Sequence, residues 1–197
     1  MNFKSLKVVL ISLTLGLSAE AFSEKIPESP KQKEVRLEND LNDIFKRGLD
    51  VAAYKLNEKQ DIRPFAIIKK TDGRIGLFEL DITPETEKMS VDQMTFSVRR
   101  YLTELAIAKQ IKASALVMHA TIHQKGKGNT QGLSFEIEHI EGVSLLRFLP
   151  VTKHSDKDGP AKGKTVLHTE AMTATIKPVT VFTEMVKAIA ANKAKEK

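Results

Sequence analysis

The strongest constraint on how this chain can fold is strand alternation. Ala115–His123 and Leu133–His139 both read as alternating strands, the first exchanging apolar and polar residues from Met118 onward and the second from its start. Successive side chains of a strand point to opposite faces, so each run has an apolar side and a polar side. Leu116, Met118, Ala120 and Ile122 face one way in the first run, and Val117, His119, Thr121 and His123 the other. In the second run Leu133, Phe135 and Ile137 stand opposite Ser134, Glu136 and Glu138. Burying both apolar sets together pairs Ala120 with Phe135 and Met118 with Ile137, since a one-residue slip would expose one of them. That register sets His119 across from Glu136 on an outer, polar face.

The remaining elements can be read around this hairpin. Pro64 precedes a β-type run, Phe65–Lys70, and Asp72-Gly73 separates it from a second, Ile75–Asp81. An Asp-Gly pair between two such runs signals a hairpin, because both residues tolerate positive φ. Leu41, Ile44, Phe45, Gly48, Leu49, Ala52 and Leu56 recur at three- and four-residue steps, which predicts a helix from Leu37. The polar, proline-containing stretch 22–36 before it reads as a tether or a frayed helix start, with Ser29-Pro30 able to cap a first turn. Thr83–Lys88 is a charged connection. Ser90 with Gln93 makes a capping box for a second helix reaching about Lys109, with Val91, Met94, Val98, Leu102 and Leu105 as its buried stripe and Tyr101 beside it.

Glu141-Gly142 turns the chain into a strand, Val143–Pro150, and a charged loop, Thr152–Lys164, leads to a last strand over Val166–Lys177 that Pro178 ends. A short amphipathic helix, Val179–Ala191, and a basic tail, 192–197, close the chain. Residues 37–191 thus form a single α+β domain: an antiparallel sheet of five to six strands, order α-β-β-α-β-β-β-(β)-α, with the helices on one face.

The N-terminus carries an address. Lys4 and Lys7 precede an apolar run, Val8–Leu17, and Ala19-Glu20-Ala21 offers small residues at the positions a signal peptidase reads. Ten apolar residues are about half of what a bilayer-spanning helix needs. The expected product begins near Phe22, in the periplasm or secreted. Of the formal charge of +6, the leader holds Lys4, Lys7 and Glu20, so the exported part keeps +5. Outside the cytoplasm that balance points to a protein partner or an anionic envelope component rather than nucleic acid. The chain has no cysteine, which removes thiol nucleophiles, iron–sulfur clusters and Cys-ligated zinc. With no Trp and two Tyr it is poorly supplied for stacking on sugars or bases.

His119, Thr121, Glu136, Glu138 and His139 are the candidate binding residues. A metal reading of His119, His123, Glu136 and Glu138 fails on distance, since residues four apart on a strand lie about 13 Å apart. His119 with Glu136 leaves two ligands where a closed site needs about four. His139 continues the apolar set of its strand, opposite Leu116, and reads as a half-buried histidine beside the Glu141-Gly142 turn. Ser144 across that turn lacks an orienting acid and oxyanion donors. Asp156-Lys157-Asp158-Gly159 echoes the centre of a calcium loop, but His154 and Thr165 stand where acidic ligands belong. Gln124–Gly132 has glycines and lysines with no helix after them, and reads as a mobile hairpin tip rather than a phosphate cradle. No cofactor is implied.

Pro64-Phe65 with Asp72-Gly73, and Phe135-Glu136-Ile137-Glu138-His139 with Gly142, Phe148 and Pro150, resemble a family of small bacterial α+β domains with a Pro-Phe…Asp-Gly hairpin and a Glu-His-x-x-Gly…Phe-x-Pro stretch. The resemblance covers Leu37–Pro150. Val151 follows the last proline where family members often carry an aromatic residue. It implies the fold and no mechanism, because the family has no settled activity. The element order is also similar to roadblock and profilin-like sheets, which serve as binding platforms. The resulting expectation is an exported, non-catalytic binding or adaptor domain of the bacterial envelope. The alternatives are a small hydrolase or metal-assisted enzyme using His119/Glu136 or His139, and a structural domain positioned by its basic tail, Lys187–Lys197.

Overall fold

A computed structural model describes residues 28–58, 61–124, 128–153, 165–176, 180–183 and 187. The first helix, α1, spans Pro30–Asn57, seven residues earlier than the apolar stripe alone predicts. Ser29 accounts for the difference: its hydroxyl accepts from the Gln32 N–H at 3.3 Å, and the Gln32 side chain accepts from the Ser29 N–H at 2.9 Å. This reciprocal cap, with proline at the first helical position, starts the helix inside the stretch read as a tether or a frayed helix start. Its first two turns are polar because they have almost nothing to cover. Further along, Leu41, Ile44, Gly48 and Ala52 are buried as the stripe requires, and Val51 is buried with them. A Cβ on Gly48 would stand 3.3 Å from the Phe135 ring, so glycine lets the helix lie close to the sheet.

The first hairpin is β1 (Phe65–Lys70) and β2 (Ile75–Glu79). Gly73 N–H donates to the Lys70 carbonyl at 2.9 Å and Lys70 N–H to the Arg74 carbonyl at 2.8 Å. Of the two turn residues only Gly73 takes positive φ, at 89°. The charged connection contains one helical turn, α2 (Pro84–Glu87), and α3 spans Val91–Ile107 behind the Ser90/Gln93 capping box. Met94, Val98 and Leu102 are buried, whereas Val91 at the helix start is exposed. The helix ends with Lys109 in the left-handed region, φ 56°, so that the Lys109 and Gln110 N–H groups reach back to the Ala106 and Leu105 carbonyls. Glycine usually fills that position.

Then come β3 (Ile111–Gln124), β4 (Gly128–His139) and β5 (Ser144–Lys153). The expected last strand is two short ones, β6 (Thr165–Leu167) and β7 (Thr173–Ile176), separated by a 3-10 turn over Thr169–Ala171, and both pair with β5. The order is β2-β1-β3-β4-β5-β6, with every pair antiparallel. Of the expected C-terminal helix, Val181–Thr183 and Lys187 are helical and Thr180 precedes them, while the rest lies outside the described residues, as do the leader, the basic tail beyond Lys187 and the calcium-like loop.

The α+β antiparallel architecture matches the sequence reading, and two details of it do not. The helices occupy both faces of the sheet. Against α1 lie Phe65, Ile67, Ala113, Ala115, Val117, Leu133, Phe135 and Ile137. Against α3, with Val181 and Phe182, lie Ala66, Ile68, Leu116 and Met118. The β3–β4 register is also displaced by three residues from the expected one. Val117 pairs with Phe135, Ala115 with Ile137 and His119 with Leu133. The physical reason is shared: near its start β3 is apolar on both sides, as a strand covered on both faces must be, so alternation alone could not choose which set meets Phe135.

Where β4 meets β5, a Cβ on Gly132 would fall 2.5 Å from the Phe148 ring and 2.3 Å from the Leu149 carbonyl oxygen. Phe148 therefore packs over a bare backbone at the point where the covered part of the sheet ends.

A buried carboxylate cluster and an open strand pair as candidate functional site

The five expected binding residues do not form one site. His119 and Thr121 are exposed on β3, beyond its pairing with β1, which stops at Val117. Glu136 lies on the opposite face of the sheet from His119 and takes a 2.8 Å ion pair from Arg99 of α3. Glu138, expected on a wet face, is 2% exposed. Its carboxylate accepts from the Thr180 N–H at 3.0 Å and the Val181 N–H at 2.8 Å, holding the first turn of the C-terminal helical segment. A carboxylate suits a helix N-terminus because it meets unpaired N–H groups and the positive end of the helix dipole.

His139 is fully buried on the α1 face, opposite Ala113 rather than Leu116. The Glu141 N–H donates to its Nδ1 at 3.1 Å, which puts the ring proton on Nε2, 3.4 Å from Asp40 Oδ2. Both ring nitrogens are thereby committed. Ser144 pairs with Glu138 and so points to the other face, away from the imidazole. Neither enzymatic pairing read from the sequence, His119 with Glu136 or His139 with Ser144, is brought together.

What the fold does assemble is a cluster that sequence reading missed. Asp40, 4% exposed, sits on the sheet-facing side of α1. Lys69 Nζ approaches its Oδ1 at 2.8 Å, and Lys112 Nζ its Oδ2 at 2.8 Å. Lys69 also bonds Asp43, and Arg36 lies 4.0 Å from Asp40. A second tier joins at the surface, where Glu141 accepts from Arg36 and from Lys33, and Arg36 also holds Glu28.

A β-bulge delivers Lys112 to this cluster. Lys69 pairs with Ala113 and Lys70 with Ile111, so Lys112 is the extra residue between them. A bulge places two consecutive side chains on one side of the sheet. Ile111 faces α3 and Ala113 faces α1, and Lys112 shares the α1 side, where Asp40 waits.

The electrostatics follow from this packing. Burial acts to raise the Asp40 carboxyl, but the hydrogen bonds from Lys112 and Lys69 outweigh it and hold the group below the ordinary carboxylate value. Burial acts to lower Lys69, and Asp40 and Asp43 more than compensate, so its ammonium is raised. His139 goes the other way: burial outweighs the attraction of Asp40 and lowers the imidazole. The result is one buried carboxylate bridging two ammonium groups beside an uncharged ring, with Lys69 nearly buried and Lys112 partly exposed. It ties α1 to β1, β3 and β4, and offers no free proton acceptor.

At the other end of the same hairpin, β3 and β4 continue past their neighbours. From His119 to Gln124, and from Gly128 to Gln131, each strand has only the other as a pairing partner among the described residues. At about 3.3 Å per residue this arm is on the order of 20 Å long. His119, Thr121, His123, Asn129 and Gln131 are exposed on it, and His123 Nδ1 lies 2.7 Å from Asn129 Oδ1. Among the described residues no three His, Asp or Glu side chains gather as metal ligands, and no helix is long and apolar enough to cross a membrane. Comparison of the chain with protein-family models, curated proteins and solved structures returned no match.

Proposed function

We propose that this protein is an exported binding or adaptor domain of the bacterial envelope, acting by contact rather than catalysis, and that the β3–β4 arm is its contact element. One observation carries the reading: the arm presents His119, Thr121, His123, Asn129 and Gln131 together on strands that, among the described residues, no neighbouring strand covers. These side chains donate and accept hydrogen bonds without fixed charge, chemistry that suits a protein surface. Export is supported by the leader, with its lysines, apolar run and Ala-x-Ala site. The commitment of both His139 nitrogens and the separation of His119 from Glu136 weaken the hydrolase alternative.

The likeness of the Pro-Phe…Asp-Gly and Glu-His-x-x-Gly…Phe-x-Pro stretches to small bacterial α+β domains fits the same reading. In this chain those residues build the turn, the core and the carboxylate cluster, which makes them parts of a platform. The test is crosslinking with mass spectrometry on tagged protein in its own host, comparing the wild type with His119→Ala/Thr121→Ala/His123→Ala. A specific envelope protein captured by the wild type and lost from the variant is the expected result. Equal capture by both, or capture of nothing reproducible, would overturn the assignment of the arm.

A further inference from the structure

We infer that the open edge of β2 pairs with the β2 edge of a second copy of this chain, antiparallel about a two-fold axis at Leu77. The strand terminates the sheet, pairing only with β1 among the described residues. Sheet edges are normally blunted by proline, a bulge or inward charge. Over Ile75–Glu79 β2 has no proline and no register break, and it shows Ile75 at 42% and Leu77 at 48% exposure.

The hydrogen-bond phase of the hairpin fixes which backbone groups are open. Lys70 and Arg74 form a bonded pair, so bonded and non-bonded pairs alternate from there: Ile68 with Gly76 and Ala66 with Phe78 are bonded, while Lys69 with Ile75, Ile67 with Leu77 and Phe65 with Glu79 are not. The N–H and C=O groups of Ile75, Leu77 and Glu79 therefore point outward. An antiparallel copy centred on Leu77 places Leu77 against Leu77 and Ile75 against Glu79, each as a bonded pair, giving six new backbone hydrogen bonds with none left over between the outermost pairs.

The side chains fit the same axis. Gly76 comes opposite Phe78 of the second copy, a bare backbone facing a ring. Charge complements it too. The turn end carries Lys70, Asp72 and Arg74, a net +1, and the far end carries Glu79 and Asp81 with Lys55 paired to Glu79, a net −1. Reversing the copy brings the ends of opposite sign together, whereas a parallel copy would stack like on like. A two-fold contact uses one patch twice, so it closes at a dimer instead of growing into a fibre. The contact lies at the sheet edge and is independent of the β3–β4 arm.

The chain's lack of cysteine allows a direct test. Leu77→Cys in the purified exported protein should be joined to a covalent dimer by a short bis-maleimide, while Val166→Cys, on the far edge strand, should not. In sedimentation velocity over a concentration series the wild type should show a reversible dimer. Leu77→Lys, which sets two ammonium groups face to face at an already exposed position, should stay monomeric with an unchanged circular-dichroism spectrum and melting curve. A wild type monomeric throughout, a dimer that survives Leu77→Lys, or equal crosslinking at both cysteine positions would overturn the proposal. So would occupation of the edge by a different protein.

Discussion

The two ends of the β3–β4 hairpin use the same residue types for opposite ends. At the closed end His139 is buried, uncharged and held on both nitrogens, and Glu138 is sealed over a helix start. At the open end His119 and His123 stand in solvent on strands with no outer neighbour among the described residues. Coverage, and not residue identity, decides the role. Where α1, α3 and β1 overlie the strands, a polar side chain must find a partner inside the protein. Past Val117 and Gly132 no further strand pairs with them among the described residues, and His119, Thr121 and His123 stand exposed.

The sharpest way to break this contrast is at the closed end. Asp40→Asn keeps the shape but removes the charge that Lys69 and Lys112 share. Breaking a buried ion pair costs about 3–5 kcal/mol, and because Lys69 retains Asp43 the lower end of that range is expected in urea unfolding. A loss under about 1 kcal/mol would mean that the Asp40 carboxylate is not buried in solution.

Acid should act on the same end more gently. The folded value of His139 lies below 6.5, so its contribution to stability is complete above that pH and is lost as pH falls toward the folded value. In that window the native state binds fewer protons than the unfolded chain, and stability falls with falling pH by up to about 1.4 kcal/mol per unit from this group. Asp40, lowered below 3.8, adds a loss of the same sign at still lower pH. Unfolding midpoints of wild type and His139→Gln measured from pH 7.5 to 5 should therefore converge as the pH drops. Parallel curves would show the imidazole titrating alike in both states.

The open end should be nearly silent in such experiments. Replacing His119 and Thr121 by Ala is expected to shift stability by less than about 0.5 kcal/mol each, as for exposed positions without special partners. A larger loss in thermal unfolding would show that the arm is packed against part of the chain and not free for a partner.

Much of this architecture is legible in the amino-acid sequence. The capping box at Ser90, the Gly48-containing stripe of α1, the Asp72-Gly73 hairpin and the antiparallel sheet are all local signals. The register is not, because Ala113-Ser114-Ala115-Leu116-Val117-Met118 offers an apolar set on each face. Which one meets Phe135 depends on which face of the sheet the second helix covers, and no local pattern announces that. The carboxylate cluster did leave a trace. Asp40 stands in the helical stripe with Leu37, Leu41 and Ile44. Lys69 continues Phe65 and Ile67 at every second place, and His139 continues Leu133, Phe135 and Ile137. Three polar residues each sit where an apolar series predicts another apolar one, and such interruptions are what a buried ionic cluster looks like in one dimension. Lys112 has no such signature, since a bulge is a property of two strands together.

The bulge has one more consequence, for how the sequence tolerates length change. Ile111 and Ala113 lie on opposite faces, as neighbours in an uninterrupted strand would. Deleting the codon for Lys112 would thus leave every downstream side chain on its present face and restore an even ladder, with Lys70 still against Ile111 and Lys69 against Ala113. Losing any single residue between Ala113 and Val117 would turn part of the strand inside out. In a strand otherwise intolerant of indels, the second cation of the cluster occupies the one position that is in frame whether present or absent.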